Sequence, residues 1–208
     1  PANTIPGVRP EWFYKGNGFT LAAPGGALTS PAFADDAGEE PEIAGIYLIG
    51  EDGTPWRLGF TLSNEFSDHV TERVNYLWLA HSKLRNASFG PELLVGELPA
   101  DIRGTSRISR DGAVIWEKPF LSGEATMSHS IANLARHHFK YAPSRRLGVV
   151  HCPFFRTATL PFCARLPHSP CAVLASLAVA CTQAPPLHLP PASSAPPKRR
   201  GTPRPPHD

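Results

Sequence analysis

Two carboxylates, Glu40 and Glu42, bracket a proline at the mouth of the apolar run in GEEPEIAGIYLIG, residues 38–50. Residues two apart in an extended segment project to the same side, so these acids stand next to each other. Proline is tolerated at the first residue of a strand. A second extended run, WRLGFTLSNE, ends in Glu65 on the parity of Thr61 and Ser63, with Leu58, Phe60 and Leu62 on the other. Pairing of the two runs would bring a third carboxylate to the same spot. Three converging carboxylates cannot all stay ionised without a cation. Oxygen-only donors favour a hard ion, Mg2+ or Mn2+, over zinc. An acid-x-acid pair alone is equally what a solvated turn before a strand shows. Glu65 is what tips the pattern towards an ion site.

The elements that must position these groups follow from periodicity. EIAGIYLIG is apolar on both parities and reads as a strand buried on both faces. EDGTP, with Asp-Gly at its centre, predicts a hairpin into the second strand. SDHVTERVNYLWLAHSKL predicts a helix with Ser67 as N-cap and Asp68 in the first turn, where the helix dipole favours an acid. Its stripe would be Val70, Val74, Leu77 and His81. SFGPELLVGELPAD reads as strand and turn, and TSRISRDGAVIWEKPF as a second Asp-Gly hairpin. SHSIANLARHHFKY predicts a short helix with Ile131, Leu134 and His138 on one stripe and two histidines at an end that welcomes cations. Trp12 and Phe13 read as core or lid packing.

The chain has 208 residues and a net charge of +2, a balance that suggests neither a nucleic-acid nor a membrane partner. That average hides a split. Residues 1–124 hold seventeen acids and ten bases, whereas residues 125–208 hold one acid and ten bases. The longest uncharged apolar run, CAVLASLAVAC, is far short of the roughly 20 residues of a membrane helix. No secretory leader is visible behind Pro1, which reads as a fragment or processed end of a cytoplasmic protein. The four cysteines form no C-x-x-C, and His129, His137, His138 and His151 match no metal-binding spacing, so these histidines read as surface or packed.

The segment from PEWFYK to SDHV resembles the fumarylacetoacetate hydrolase superfamily. It shows a Phe-x-Lys, a glycine-rich spacer, Glu-x-Glu leading into an apolar strand, and an acid closing the next strand before a helix. AHSKLRNASFGPELL, GEATMSHSIANLARHHFKY and FFRTATL are similar to its GguC-like branch. The resemblance spans about residues 5–160. It implies an α+β fold, a mixed β-sheet roll with short helices, here incomplete. It places the metal ligands on Glu40, Glu42 and Glu65, the last a departure from the usual Asp. It places a catalytic lysine on Lys83 and substrate contacts on Lys15 and Thr157. The chemistry implied is metal-dependent, on a small-molecule 2-oxo acid, within a homodimer. Dehydration of a 2-keto-3-deoxy sugar acid is the favoured reaction, with C–C bond hydrolysis or a truncated non-catalytic product as alternatives.

Two positions depart from the family pattern. Val149 follows Gly148 where Asp is expected, and Arg156 precedes Thr157 where Gly is expected. Arginine there puts a bulky cation where glycine would let the backbone approach a ligand. Beyond Leu160 the resemblance ends and the composition turns to proline, alanine and arginine. A shifted reading frame in a GC-rich gene would give that change. The expected organisation is a partial catalytic domain over 1–160 and a Pro/Arg-rich tail over 161–208, disordered by composition.

Overall fold

The computed structural model describes residues 7–155. Thr157 and the tail over 161–208 lie outside the described residues.

The apolar run becomes strand β2, Pro41–Ile49, and the alternating run becomes β3, Pro55–Asn64, joined as an antiparallel hairpin. β2 lies inside the sheet. It pairs with β3 on one side and with β7 (Val150–His151) and β8 (Phe154–Phe155) on the other. A strand enclosed on both edges and both faces needs apolar residues at both parities, and seven of its nine residues are buried. β3 continues to β4, Ala87–Phe89, antiparallel, and β4 to the short β1, Leu21–Ala22, parallel. The sheet is therefore mixed, as the family resemblance implies.

One strand expectation needs correction. The register steps from Ile46 opposite Gly59 to Tyr47 opposite Arg57, leaving Leu58 as an extra, unpaired residue. Such a bulge re-aims the side chains that precede it. Phe60 is buried, but Leu58 is 42 % exposed and does not share its face.

The second Asp-Gly hairpin is β5, Ile102–Arg110, with β6, Ala113–Ser122. Its two-residue turn has positive φ at both Asp111 (51°) and Gly112 (79°), which matches the twist of the flanking strands. Ile102 and Phe120 from this hairpin join Ile43, Tyr47, Ile49, Phe60 and Phe155 of the main sheet in one apolar core. A helix, Ile131–Phe139, closes that core with Ile131 and Phe139, and Leu134 packs against it. Ser130 caps this helix, accepting from the Asn133 amide at 3.2 Å.

The segment after Glu65 differs from the single helix predicted. The first helix, α1, spans His69–Val74; a 3-10 turn, Tyr76–Trp78, follows; α2 spans Leu79–Ser82. With the helix of Ile131–Phe139 as α3, the described residues hold three α-helices. The break falls at Asn75, which is extended (φ −156°, ψ 129°) and caps the next turn by accepting from the Leu77 amide at 3.0 Å. Asn competes with helix continuation by this kind of local bond. The N-cap of α1 is Asp68, not Ser67: its Oδ1 accepts from the Thr71 amide at 2.9 Å. The predicted apolar stripe is also inverted. Val70, Val74 and Leu77 are exposed, while His69 is buried. Trp12 likewise is no core residue; it is half exposed, with its ring edge on His138 at 5.0 Å. Phe13 is 37 % exposed and also lies outside the core.

Candidate metal centre

The β2–β3 ladder continues one step beyond the strand ends: the Glu65 amide donates to the Glu40 carbonyl at 2.8 Å. Cross-strand partners share a side, and residues two apart on one strand share it as well. Glu40, Glu42 and Glu65 therefore face one point. Each offers an oxygen, and these oxygens lie within 4.8 Å of one another. Glu40 and Glu42 are buried, and the Glu65 side chain is 15 % exposed.

Lys83, the C-cap of α2, reaches this cluster and is buried. Its ammonium makes a close ion pair with Glu40 Oε1, and stands 3.4 Å from Glu65 Oε2 and 3.8 Å from Glu72 Oε2. Glu40 Oε1 also meets His69 Nε2 at 3.0 Å, and the other ring nitrogen of His69 faces Asp36 Oδ2 at 3.6 Å. Burial alone would raise the Glu40 carboxyl, but the bond from His69 and the charge of Lys83 outweigh it and hold it at about 2. Burial, reinforced by the neighbouring Glu40 charge, raises Glu65 despite Lys83. Burial would lower Lys83, but Glu40 and Glu65 more than offset it, so the ammonium is retained.

Beneath this layer lies a second set of ionic contacts. Asp68 Oδ2 pairs with Arg85 Nη2 at 2.6 Å and accepts from the Asp35 amide at 3.0 Å. Arg85 also donates to the carbonyls of Asp36 (2.6 Å) and Ser67 (3.3 Å). This explains why Asp68 and not Ser67 caps the helix: the position must supply a charge to Arg85 as well as an acceptor to Thr71. Burial would raise Asp68, but amide donors from Thr71 and Asp35 and the guanidinium keep it below the ordinary range. Glu39 makes a close hydrogen bond from Asn64 Nδ2, and Asn64 Oδ1 accepts from the Glu40 amide at 3.0 Å. Asn64 thereby fixes the backbone that carries Glu40. Burial pushes Glu39 up to about 7, against the Asn64 bond.

A donor set of carboxylate oxygens, two of them buried, fits a hard divalent ion such as Mg2+ or Mn2+. Among the described residues this is the cluster of three or more His, Cys, Asp or Glu side chains that could hold a metal.

The same architecture occurs among solved structures. A hexagonal crystal form of 2-keto-3-deoxyarabinonate dehydratase is similar with a TM-score of 0.61 at 24 % identity, covering 74 % of this chain and 52 % of that one. The chain has a fumarylacetoacetate hydrolase-type fold. Two further structures with this fumarylacetoacetate hydrolase-type fold are similar. The apo form of 2-keto-3-deoxy-D-arabinonate dehydratase has a TM-score of 0.57 at 24 % identity, over 69 % of this chain and 50 % of that one. The same enzyme complexed with magnesium and 2,5-dioxopentanoate has a TM-score of 0.55 at 22 % identity, over 68 % and 49 %. The chain thus spans about half the length of these proteins. No protein-family model and no curated protein matches the sequence.

Within this fumarylacetoacetate hydrolase-type fold, Glu40, Glu42, Glu65 and Lys83 meet at one place. Lys15 borders it: its amine donates to the Phe66 carbonyl, and its charge couples to Glu65, Lys83 and Glu40. Burial lowers it to about 8, with Glu65 pulling the other way. Asp36, His69 and Glu72 also surround the cluster, and sequence reasoning did not single them out. For His69 and Glu72 the signal was the polar side of α1, where they lie three residues apart on the face turned to the site; Asp36 carried none.

Proposed function

We propose that this chain is the core of a divalent-metal-dependent enzyme acting on a 2-oxo acid, and that its reaction is dehydration of a 2-keto-3-deoxy sugar acid. The observation that carries this reading is the convergence of Glu40, Glu42 and Glu65 within 4.8 Å beside the buried Lys83. Support comes from the shared fold with structures named as 2-keto-3-deoxyarabinonate dehydratase, one of them holding magnesium and a dioxo acid.

Glu40, Glu42 and Glu65 would hold the ion, which when bound supplies Lewis-acid polarisation of the substrate carboxylate and neighbouring keto oxygen. Lys83 would donate a charge-assisted hydrogen bond to a substrate oxygen as negative charge develops there. Its charged form is secured by the surrounding carboxylates. Lys15, at the border beside Glu65, would provide a second cationic contact for the substrate carboxylate. His69 and Asn64 act earlier in the chain of support: one orients the Glu40 carboxylate, the other fixes its backbone. Thr157, implied by resemblance as a further substrate contact, lies outside the described residues.

The test is a calorimetric titration of the full chain with Mg2+ or Mn2+, beside the Glu40→Ala/Glu42→Ala double variant, followed by turnover of 2-keto-3-deoxy sugar acids. Saturable binding that the variant loses, with release of water from the substrate, is the expected result. A folded wild-type chain that binds no divalent ion would overturn the reading.

A further inference from the structure

Lys83 presents a conflict that the metal reading must resolve. Its ammonium sits on Glu40 Oε1 and 3.4 Å from Glu65 Oε2, so two of its three ionic partners among the described residues belong to the ligand set. An ion bound by those carboxylates and an ammonium held on two of them compete for the same negative charge. Like charges at such separations repel strongly when buried. The remaining partner, Glu72 on α1, is not part of the ligand set. Its Oε2 stands 3.8 Å from Lys83 Nζ, is buried, and has no hydrogen-bond partner among the described residues. A buried carboxylate oxygen without a donor is a costly arrangement unless something else uses it.

We propose that Glu72 is the positioning residue that receives the Lys83 ammonium when the ion occupies Glu40, Glu42 and Glu65. This rests on the metal reading above. The ammonium moves off Glu40 and Glu65 by a side-chain adjustment and lodges on Glu72. It stays charged and beside the cluster, where a substrate oxygen can reach it. No bond is made or broken; the exchange is of ionic partners. Lys83 is a flexible point charge with three donors, suited to such a move in a way that a rigid guanidinium is not. Glu72 keeps a 28 % exposed side chain and lies three residues beyond His69, on the same face of α1, so it can follow the ammonium without repacking the core.

The experiment is Mn2+ titration by calorimetry on the full chain and its Glu72→Asp, Glu72→Gln, Lys83→Met and Lys83→Met/Glu72→Gln variants, each checked for folding by circular dichroism. Glu72→Gln is expected to weaken Mn2+ binding about tenfold when Lys83 is present, and by less than about twofold in the Lys83→Met background, a non-additive cycle. Lys83→Met alone is expected to tighten binding, because the competitor is gone. Glu72→Asp, which keeps the charge but shortens the reach, should fall between Glu and Gln. A general field effect of the acid would instead leave Asp equal to Glu and would persist without Lys83; either result overturns the proposal. So does a Glu72→Gln variant that binds like wild type. The Asp comparison decides the matter even where Lys83→Met does not fold. Loss of Mn2+ binding by the wild-type chain would overturn the metal reading itself, a separate outcome from the failure of Glu72.

Discussion

The His69 ring fills the space that a side chain on Gly38 would take. A Cβ on Gly38 would run into Nδ1 and Cε1 of the His69 ring, with Cγ at 3.0 Å. The two segments are clamped there by a two-way backbone bridge between Gly38 and Ser67, at 2.9 Å in each direction. Neither partner can retreat, because His69 is held at its other end by Glu40. Gly38→Ala should therefore destabilise the fold by about 1–3 kcal/mol, the usual range for overpacking a buried site. It should also displace the His69 ring from Glu40. Urea unfolding gives the first quantity, and Mn2+ affinity reports the second. A variant with wild-type stability and wild-type affinity would mean the ring has room that the structure does not show.

Asp68 and Arg85 form a buried ion pair at 2.6 Å in which both side chains are nearly fully covered. Removing one charge leaves the other buried without compensation. Asp68→Asn retains an acceptor for the Thr71 amide, so it isolates the charge from the helix cap. It should cost about 3–5 kcal/mol, as breaking a buried pair usually does. The readout is the shift of the urea midpoint at constant slope. A loss of about 1 kcal/mol or less would instead mean that the Asp68 charge does little for Arg85 and that the residue serves as the helix cap, which Asn preserves.

Ion removal should be visible in stability as well as in chemistry. A ligand that binds only the folded state adds about 2.7 kcal/mol at a hundred times its dissociation constant. For a chain of this size that corresponds to a rise in melting temperature of about 5–10 °C. Mn2+ or Mg2+ at saturation should raise the melting temperature of the wild-type chain by that amount, and a chelator should reverse it. Glu42→Gln, which keeps the shape of a buried ligand but not its charge, should abolish most of the rise. An equal rise in the variant would place the ion elsewhere.

What could be read in the sequence was local. Both parities of β2 are apolar because both of its faces are buried, and that pattern is visible without the fold. The Asp-Gly turns and the meeting of Glu40, Glu42 and Glu65 follow from a hairpin and a period of two. The surroundings of the carboxylates were not legible, because they come from far along the chain. His69 reaches Glu40 across 29 positions and Lys83 across 43. Lys83 entered only through family resemblance, and Asp36 had no signal of spacing. The reading of α1 failed for a physical reason. An apolar stripe normally marks the buried face, but here the polar face is turned inward to serve the carboxylates, and Val70, Val74 and Leu77 are left outside. The histidines at the end of α3 show the same override. A helix C-terminus welcomes a cation, yet His138 is packed against Phe139, His151 and Trp12, and burial lowers its pKa to about 4.

That packing makes a prediction about pH. His138 Nε2 and His151 Nδ1 are 3.0 Å apart, a hydrogen bond that requires one ring nitrogen to be without its proton. Burial lowers both pKa values, and for His138 the nearby His151 adds to the effect. A histidine whose folded pKa lies below its unfolded value favours the folded state while neutral. Its contribution is complete above about pH 6.5, the unfolded value, and is lost as the pH falls through the folded value near 4. Between pH 7 and pH 5 the unfolded chain takes up protons that the folded chain refuses. Allowing for partial exposure of the pair, the wild-type chain should lose about 1–2 kcal/mol more over that interval than a His138→Phe variant. Phenylalanine keeps a ring against Trp12 and Phe139 but has nothing to titrate. Urea midpoints at pH 7, 6 and 5 for both proteins make the comparison, and parallel pH profiles would show that the pair does not sense acid.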